Sequence, residues 1–303
     1  MDLFLSASFS GLARGAVYAL VALGLVLVWR GAGIINFAQM GQAMFSTYIA
    51  SMLLTHGQSY WVAFFVALFS GATLGALVDV IVMRPLSRKR RSEALNSPSM
   101  RATIPVIASL GILGLLQALA GIFWAGEERG FPTPVANEGL KIGDRVMPFT
   151  LFDIFVISIV ALVLLLTTLF FTKTGMGLAM RASALNQEVA RLSGIRTSTV
   201  RTLSWAISGV ASSLAGLLIT PTSNLSPNTL DLVLIVGFTA AVVGGLDSLP
   251  GSVIGGFILG FLISFVTFYR SPEDVFISIL ALLLIMLIIR PNGLMGSKDV
   301  RRV

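Results

Sequence analysis

The sequence holds no cysteine and only one histidine among its 303 residues. The lack of cysteine excludes disulfide bonds, thiolate metal sites and cysteine nucleophiles, and it leaves the redox compartment open. The sequence motifs of P-loop nucleotide binding, of zinc proteases and of serine hydrolases are missing as well. We therefore expect no catalytic residue, no metal site and no cofactor in this chain.

Charged residues are scarce too, at 12% of the chain against 55% hydrophobic residues. Soluble domains carry about twice that fraction of charge. Apolar runs of about twenty residues recur along the sequence, which predicts an all-α, polytopic transmembrane helical bundle that forms one domain over residues 1–303. The predicted spans are 3–29, 35–54, 61–83, 102–125, 150–171, 203–220, 229–246, 253–269 and 275–290. The short spans 229–246 and 253–269 either cross the membrane or form a re-entrant hairpin, so we expect about eight to nine membrane segments, some of them broken.

The basic residues distinguish the two sides of the membrane. Most of the 21 Lys and Arg residues lie in the connections 84–101 and 172–201 and in the C-terminal tail, which fall on one side of the spans. The positive-inside rule makes that side cytoplasmic, with the N-terminus outside and the C-terminus inside. The 126–149 connection, rich in proline and acidic residues, is then an external loop. This distribution accounts for the net charge of +7 without nucleic acid, and the basic run 88–91 is a topogenic loop that can touch membrane lipid.

Two polar, glycine-containing stretches break the apolar pattern and are the candidates for a translocation pathway. Transporters place their substrate paths at broken helices, because backbone groups freed from helical hydrogen bonds can face water or solute there. The alternative is that each stretch is a tight turn between spans. The candidate residues are Asn36, Phe37, Gln39 and Gln42 in the first break, and Gly244, Gly245, Asp247 and Gly251 in the second.

Two charged residues lie within or beside the apolar spans. Arg14 either faces a substrate path or, if the first helix begins near Gly11, reaches the outer surface. Asp79 lies one turn before Arg84 and is read as an interfacial residue. The first twelve residues contain Asp2 and no basic residue, which argues against a cleavable signal peptide.

Glycine pairs four residues apart predict faces at which helix backbones approach closely in lipid. In a glycine-rich membrane protein such faces serve mainly internal packing. The pairs are Gly11/Gly15, Gly71/Gly75, Gly251/Gly255 and Gly256/Gly260.

The stretch 175–194 is too polar to span a bilayer, although it lies between two spans. Its apolar residues recur in alternating steps of four and three, which is the stripe of an amphipathic helix. Glu188 and Arg191 have the spacing of an ion pair, and Gly194 followed by Ile195 is typical of a helix C-terminal cap. We expect one short helix there, held by another protein. The stripe consists of Leu178, Ala182, Leu185, Val189 and Leu192.

Several stretches resemble the branched-chain amino acid ABC transporter permease family, and they occur in the same order as in that family. They are 18–24, Ile35-Asn-Phe-Ala, 177–195 with Ala190-Arg-Leu-Ser-Gly-Ile, 211–216 and 244–256 with Gly244-Gly-Leu-Asp-Ser-Leu-Pro-Gly. The resemblance implies a permease subunit of an ATP-driven importer in the inner (plasma) membrane of a prokaryote. The implied partners are a second permease subunit, either a copy or a homologue, two P-loop ATPase subunits that hold ATP and Mg, and an extracytoplasmic substrate-binding protein. By this resemblance, the stretch 181–194 would be the helix seated in an ATPase groove, and the alternative is a structural surface helix. The coupling residues would be Arg181, Asn186, Glu188, Ala190, Arg191 and Gly194.

The chain departs from the family pattern around the first break. Gln39-Met40 stands where the family has His-Gly, Ser46-Thr47-Tyr48 replaces a Gly-Ala-Tyr, and Arg14 replaces a small or apolar residue. Amino acids, urea, amides and other small solutes therefore remain as candidate substrates. The alternative function is a self-contained channel or facilitator for a small polar solute, and an intramembrane enzyme is disfavoured because nucleophile and metal residues are missing.

Overall fold

The computed structural model describes residues 2–89, 98–126, 128–142 and 145–296, and helices make up nearly all of its regular structure. Two short strands form an antiparallel pair in which Gly139 lies opposite Thr150. In chain order the elements are α1 (Asp2–Ala32), α2 (Gln39–Thr55), α3 (Tyr60–Leu77), a π-helical turn (Val78–Met83), α4 (Arg84–Lys89), α5 (Pro98–Trp124), β1 (Gly139–Ile142), β2 (Arg145–Thr150), α6 (Leu151–Lys173), α7 (Gly175–Leu185), α8 (Gln187–Leu192), α9 (Thr197–Ser223), α10 (Asp231–Gly244), α11 (Leu249–Tyr269) and α12 (Asp274–Ile289).

Each predicted span coincides with a helix, which confirms the polytopic helical fold. Within the described residues, six helical segments are long and apolar enough to cross a membrane, namely those containing α1, α3, α5, α6, α9 and α11. The apolar helices α10 and α12 are shorter. With 14 residues, α10 is about 21 Å long, which falls short of a hydrocarbon core of about 30 Å. The 21-residue α11 is long enough.

The structure differs from the sequence prediction in several places. Helix α1 begins at Asp2, as the predicted span 3–29 has it, so the alternative start near Gly11 does not hold and Arg14 lies about three turns inside the helix. Helix α9 begins at Thr197 and therefore includes Arg201, which was predicted in a loop. The predicted external loop contains no span in its described part but does contain the β1–β2 hairpin.

The chain divides into two compact units, whose boundaries fall within α1, α6 and α10 and in the connection between α5 and β1. The second unit (Leu27–Phe131 and Thr167–Leu234) has α2, α3 and α9 packed on one another and α5 packed on α2. Helices α3 and α9 meet at backbone distance, since a Cβ added to Gly71 would lie 2.5 Å from the carbonyl oxygen of Gly209. An apolar core beside this contact consists of Val28, Ile34, Val78, Met83 and Trp205.

The first unit (Met1–Val26, Pro132–Leu166 and Ile235–Val303) is also built on close helix contacts through glycine. A Cβ added to Gly260 of α11 would lie 2.5 Å from the carbonyl oxygen of Gly11 in α1, and one added to Gly256 would contact Ala19. The packing role predicted for these glycine pairs is therefore confirmed, because any side chain at these positions would push the helices apart.

Candidate functional site

The polar segment 175–195 forms two short helices, so the prediction of one continuous helix is wrong. Asn186 is the residue at which they join, and its extended backbone (φ −157°, ψ 109°) ends α7. The Asn186 side-chain oxygen accepts hydrogen bonds from the backbone N–H groups of Glu188 (2.9 Å) and Val189 (3.1 Å). Asn186 is thus the N-cap of α8, which is a position that asparagine favours.

The C-terminal cap predicted at Gly194 is confirmed. Gly194 has φ +85°, its N–H donates to the carbonyl of Arg191 at 3.1 Å, and the N–H of Ile195 donates to that of Ala190 at 3.0 Å. This pair of bonds is a Schellman motif, which fixes the direction in which the chain leaves α8. Only one turn then separates α8 from the start of α9 at Thr197.

The apolar stripe of this segment is exposed to a degree that is unusual for leucine. Leu185 is 89% exposed and Leu192 is 82% exposed. Leu178 and Val189 are also more than half exposed, and among the proposed coupling residues Ala190 alone is buried. The ion pair expected between Glu188 and Arg191 does not form in the described part of the chain. The segment therefore presents an apolar surface flanked by charged side chains, as a docking surface would.

Two contacts hold the segment against the rest of the second unit. Gly177 of α7 lies against the backbone of Phe170 and Phe171, so that α7 folds back tightly on the end of α6. The amide nitrogen of Gln187 in α8 lies 3.4 Å from the carbonyl oxygen of Gly31, in the last turn of α1. A groove of about 350 Å³ separates the start of α7 from the start of α9. The segment therefore contacts the end of α6 and the last turn of α1, and it leads directly into α9.

The first predicted break is a connector between α1 and α2 rather than an interruption within a helix. Gly33 turns the chain with φ +65°, and the Phe37 N–H donates to the hydroxyl of Ser109 in α5 at 3.3 Å. Asn36 lies in this connector, whereas Gln39 and Gln42 lie in the first turn of α2. All four candidate residues thus come together at one place in the second unit.

The amides at this connector are buried among neutral polar groups. Asn36, Gln39 and Gln42 have no exposed surface. In the part of the chain that the structure describes, both ends of the Asn36 and Gln42 amides are without a hydrogen-bond partner. A buried polar group without a partner is unfavourable by about 1–3 kcal/mol. Further along, α2 meets the hydroxyl-rich face of α9, where Ser46 donates to Ser213 at 2.7 Å.

The second predicted break is a tight turn between α10 and α11. Gly245 has φ +108°, and Gly244 and Gly251 lie so close that a Cβ on Gly251 would stand 3.0 Å from the Gly244 carbonyl carbon. The Ser248 hydroxyl caps α11 by accepting from the N–H of Gly251 at 3.0 Å. Asp247 is exposed. The local geometry is therefore that of the alternative given above for this stretch, a tight turn that joins two helices.

The residues after α12 complete this turn, which the sequence did not predict. The N–H of Leu294 donates to the carbonyl of Val243 at 2.8 Å, and that of Met295 donates to the carbonyl of Gly244 at 3.0 Å. These are two of the carbonyls that the end of α10 leaves without a helical partner. The Asn-Gly pair at 292–293, with Gly293 at φ +78°, is the sequence signal for the turn that brings the segment back.

Arg14 is exposed on α1, one turn before Tyr18. It lies in the first unit, whereas the Asn36 connector belongs to the second. Its proposed part in the pathway remains a prediction.

Comparison with known proteins identifies relatives over nearly the whole chain. Residues 8–289 match the protein family described as the permease component of the branched-chain amino acid transport system. The chain is 28% identical to the high-affinity branched-chain amino acid transport system permease protein LivH of Salmonella typhimurium, over 99% of this chain and 98% of that protein. It is 31% identical to the probable branched-chain amino acid transport permease protein LivH of Methanocaldococcus jannaschii, over 91% and 88% of the two chains.

A relative with a different printed substrate is the fructose import permease protein FruF of Bifidobacterium longum. It is 27% identical over 83% of this chain and 67% of its own length. No solved structure matches the chain significantly.

Proposed function

Because the chain belongs to the family of permease components of branched-chain amino acid transport systems, we propose that it works as one permease subunit of an importer whose ATP is bound and hydrolysed elsewhere. The partners are a second permease subunit, two P-loop ATPase subunits with ATP and Mg, and an extracytoplasmic substrate-binding protein. The exposed apolar stripe of α7 and α8 is the observation that carries this proposal, since it gives a motor subunit a surface to hold.

The distribution of basic residues supports the orientation. The segment 172–201 and the connection 84–101 hold many of the basic residues, and this side of the membrane is therefore cytoplasmic. The N-terminus is then outside and the C-terminus inside. In this orientation the apolar stripe faces the compartment that contains ATP.

The coupling surface consists of the four exposed apolar residues and the charged residues beside them. Burying Leu185 and Leu192 in an ATPase groove removes most of their surface from water, which favours association by about 2 kcal/mol per leucine. Arg181, Glu188 and Arg191 are exposed beside them and supply specificity through charge. Asn186 and Gly194 shape the segment by capping α8, and Ala190 packs it against the unit.

Motion of this surface reaches the pathway through α1. Gln187 contacts the carbonyl of Gly31, and the Asn36 connector begins directly after α1 ends at Ala32. Among the residues that the structure describes, the Asn36 and Gln42 amides are buried and have no hydrogen-bond partner. Opening of the connector exposes them to water or to a passing solute, which satisfies them. The amides and the neighbouring hydroxyls are neutral, which suits a solute that carries no net charge.

The substrate we propose is a branched-chain amino acid, because the relatives that match over nearly the full length are named for it. Such a zwitterion is neutral overall, as the lining requires. The second break at Gly244–Gly251 and Arg14 are assigned to the same pathway on the sequence pattern alone.

The test is uptake by the assembled importer in liposomes. We expect ATP on the ATPase side to drive uphill accumulation of leucine, isoleucine or valine, and we expect none without the ATPase subunits. Leu185→Asp with Leu192→Asp should abolish this uptake while membrane insertion stays normal. Downhill flux through the chain alone would support the channel alternative and overturn the importer. Accumulation of fructose but not of leucine would overturn the substrate only.

A further inference from the structure

Helices α3 and α9 of the second unit are held in register by two matching stripes. On α3 the stripe residues lie four apart, and on α9 they lie four apart as well, which places each set on one helix face. The two sets run antiparallel, so that Gly71 meets Gly209 and Ser213, Gly75 meets Trp205, and Asp79 meets Arg201. The stripes are Gly71, Gly75 and Asp79 on α3 and its π-helical extension, and Arg201, Trp205, Gly209 and Ser213 on α9.

The two stripes together form the α3–α9 seam, and this seam ends in a buried ionic cluster centred on Asp79. The carboxylate of Asp79 has no exposed surface, and it lies 2.7 Å from Nε of Arg201 and 3.5 Å from Nη2 of Arg84. The Thr202 hydroxyl donates to it at 2.6 Å. Asp79 is therefore enclosed by protein groups, and its expected position near the membrane interface stays a prediction. Sequence hydropathy could not show that its partner Arg201 belongs to a helix.

The cluster also ties the extension of α3 to the start of α9. Arg201 donates to the hydroxyl of Ser87 in α4 at 3.1 Å, and Arg84 donates to the carbonyl of Ser198 at 3.4 Å and to Thr202. The π-helical turn that carries Asp79 ends at Met83, two residues before Pro85. Proline removes an N–H and crowds the carbonyl four residues back, and a widened turn relieves that crowding.

A buried carboxylate makes this register hard to change. If α3 slid along α9 by one turn, Asp79 would lose Arg201 and the Thr202 hydroxyl and would keep only the more distant Arg84. A buried carboxylate that loses its closest partners is strongly unfavourable. A slide of one turn in one direction would place Gly75 opposite Gly209, so the glycines alone do not fix the register, and the ion pair of Asp79 with Arg201 distinguishes it. The two helices can therefore move as a pair much more easily than they can move past each other.

We propose that Asp79 is a positioning residue for energy coupling, which locks α3 to α9 so that both helices move together when the 175–195 segment moves. The segment is joined to α9 through the hydrogen-bonded cap at Gly194, so a displacement of α8 is passed on to the start of α9. Through Asp79 the displacement also reaches α3, which contacts α2 and so the side of the Asn36 connector. This inference rests on the proposed importer function.

The first test separates coupling from folding. In the assembled importer, Asp79→Asn combined with Arg201→Gln neutralises the closest pair. Arg84 is partly exposed and keeps its hydrogen bonds to Ser198 and Thr202. We expect normal membrane insertion and ATPase activity, with solute transported per ATP reduced roughly tenfold. The single variant Asp79→Glu keeps the negative charge and should retain most of the wild-type amount of solute transported per ATP. A double variant with the wild-type ratio would overturn the inference.

The second test needs no change at Asp79. Because the chain has no cysteine, spin labels can be attached through Ile81→Cys and Thr199→Cys, which are exposed positions on the two helices. We expect the same distance between them in the nucleotide-free and ATP-bound importer. A difference greater than about 2 Å would mean that the helices slide, and it would overturn the inference.

Different results would overturn the importer function and the role of Asp79. If wild-type uptake does not require the ATPase subunits, then the proposed importer function itself is wrong. If wild-type uptake requires ATP but the double variant keeps the wild-type ratio, then only the role of Asp79 is wrong.

Discussion

Replacing Gly75 by alanine should force α3 away from α9. The new Cβ would lie 2.9 Å from the carbonyl carbon of Trp205 and closer still to its oxygen, whereas ordinary contacts begin at 3.4 Å. The backbones must therefore separate by at least about 0.5 Å, and a gap of that size forfeits about a quarter of the contact energy along the seam. Overpacking of this kind typically destabilises a protein by about 1–3 kcal/mol.

Gly111→Ala is the matched control, because Gly111 is an exposed helical glycine with no atom within 4 Å of an added Cβ. Both variants gain the same helix propensity of about 1 kcal/mol, so their difference isolates the packing effect. We expect Gly75→Ala to be less stable than Gly111→Ala by about 1–3 kcal/mol. Reversible unfolding in mixed SDS and detergent micelles measures the difference. Equal unfolding midpoints would refute the close α3–α9 seam.

Three further predictions concern the 175–195 segment. Leu185→Ala with Leu192→Ala should weaken binding of the purified ATPase subunit about 100-fold, because the two truncated side chains lose roughly 3 kcal/mol of favourable burial free energy. A binding titration measures this change. Leu162→Ala, at an exposed position on α6, is the control and should leave the titration unchanged. Asn186→Ala should speed amide hydrogen exchange in α8, because loss of an N-cap costs about 1 kcal/mol, and unchanged exchange would argue against the break in the helix. Gly194→Ala should also loosen the end of α8 by about 1 kcal/mol in the same assay, because φ +85° is unfavourable for alanine.

The sequence predicted the features that depend on local pattern. Hydropathy located the apolar helices of the described residues, since about twenty apolar residues suffice to identify a span. The spacing of Gly71 and Gly75 predicted a close helix contact, and Gly194 predicted a helix end, because both effects follow from a missing Cβ. The pattern could not say which helix lies against which.

Features that depend on a distant partner escaped the sequence. The periodic stripe continues from Leu185 to Val189 without a fault, so it concealed the break at Asn186, although an asparagine followed by Gln-Glu is a recognisable N-cap signal. The ion pair of Asp79 and Arg201 joins residues more than a hundred positions apart. The hydrogen bonds from Leu294 to the end of α10 involve only backbone groups, so the Asn-Gly pair at 292–293 signals a turn but not the helix end that the turn reaches.

The most direct measurement of the central claim uses the absence of cysteine. After Leu185→Cys, a membrane-impermeant maleimide should label the chain in inside-out vesicles and not in intact cells, and bound ATPase subunits should protect it. This result would place the apolar stripe in the cytoplasm and in contact with the motor. Labelling from the external medium, or labelling that the ATPase subunits do not change, would contradict the account.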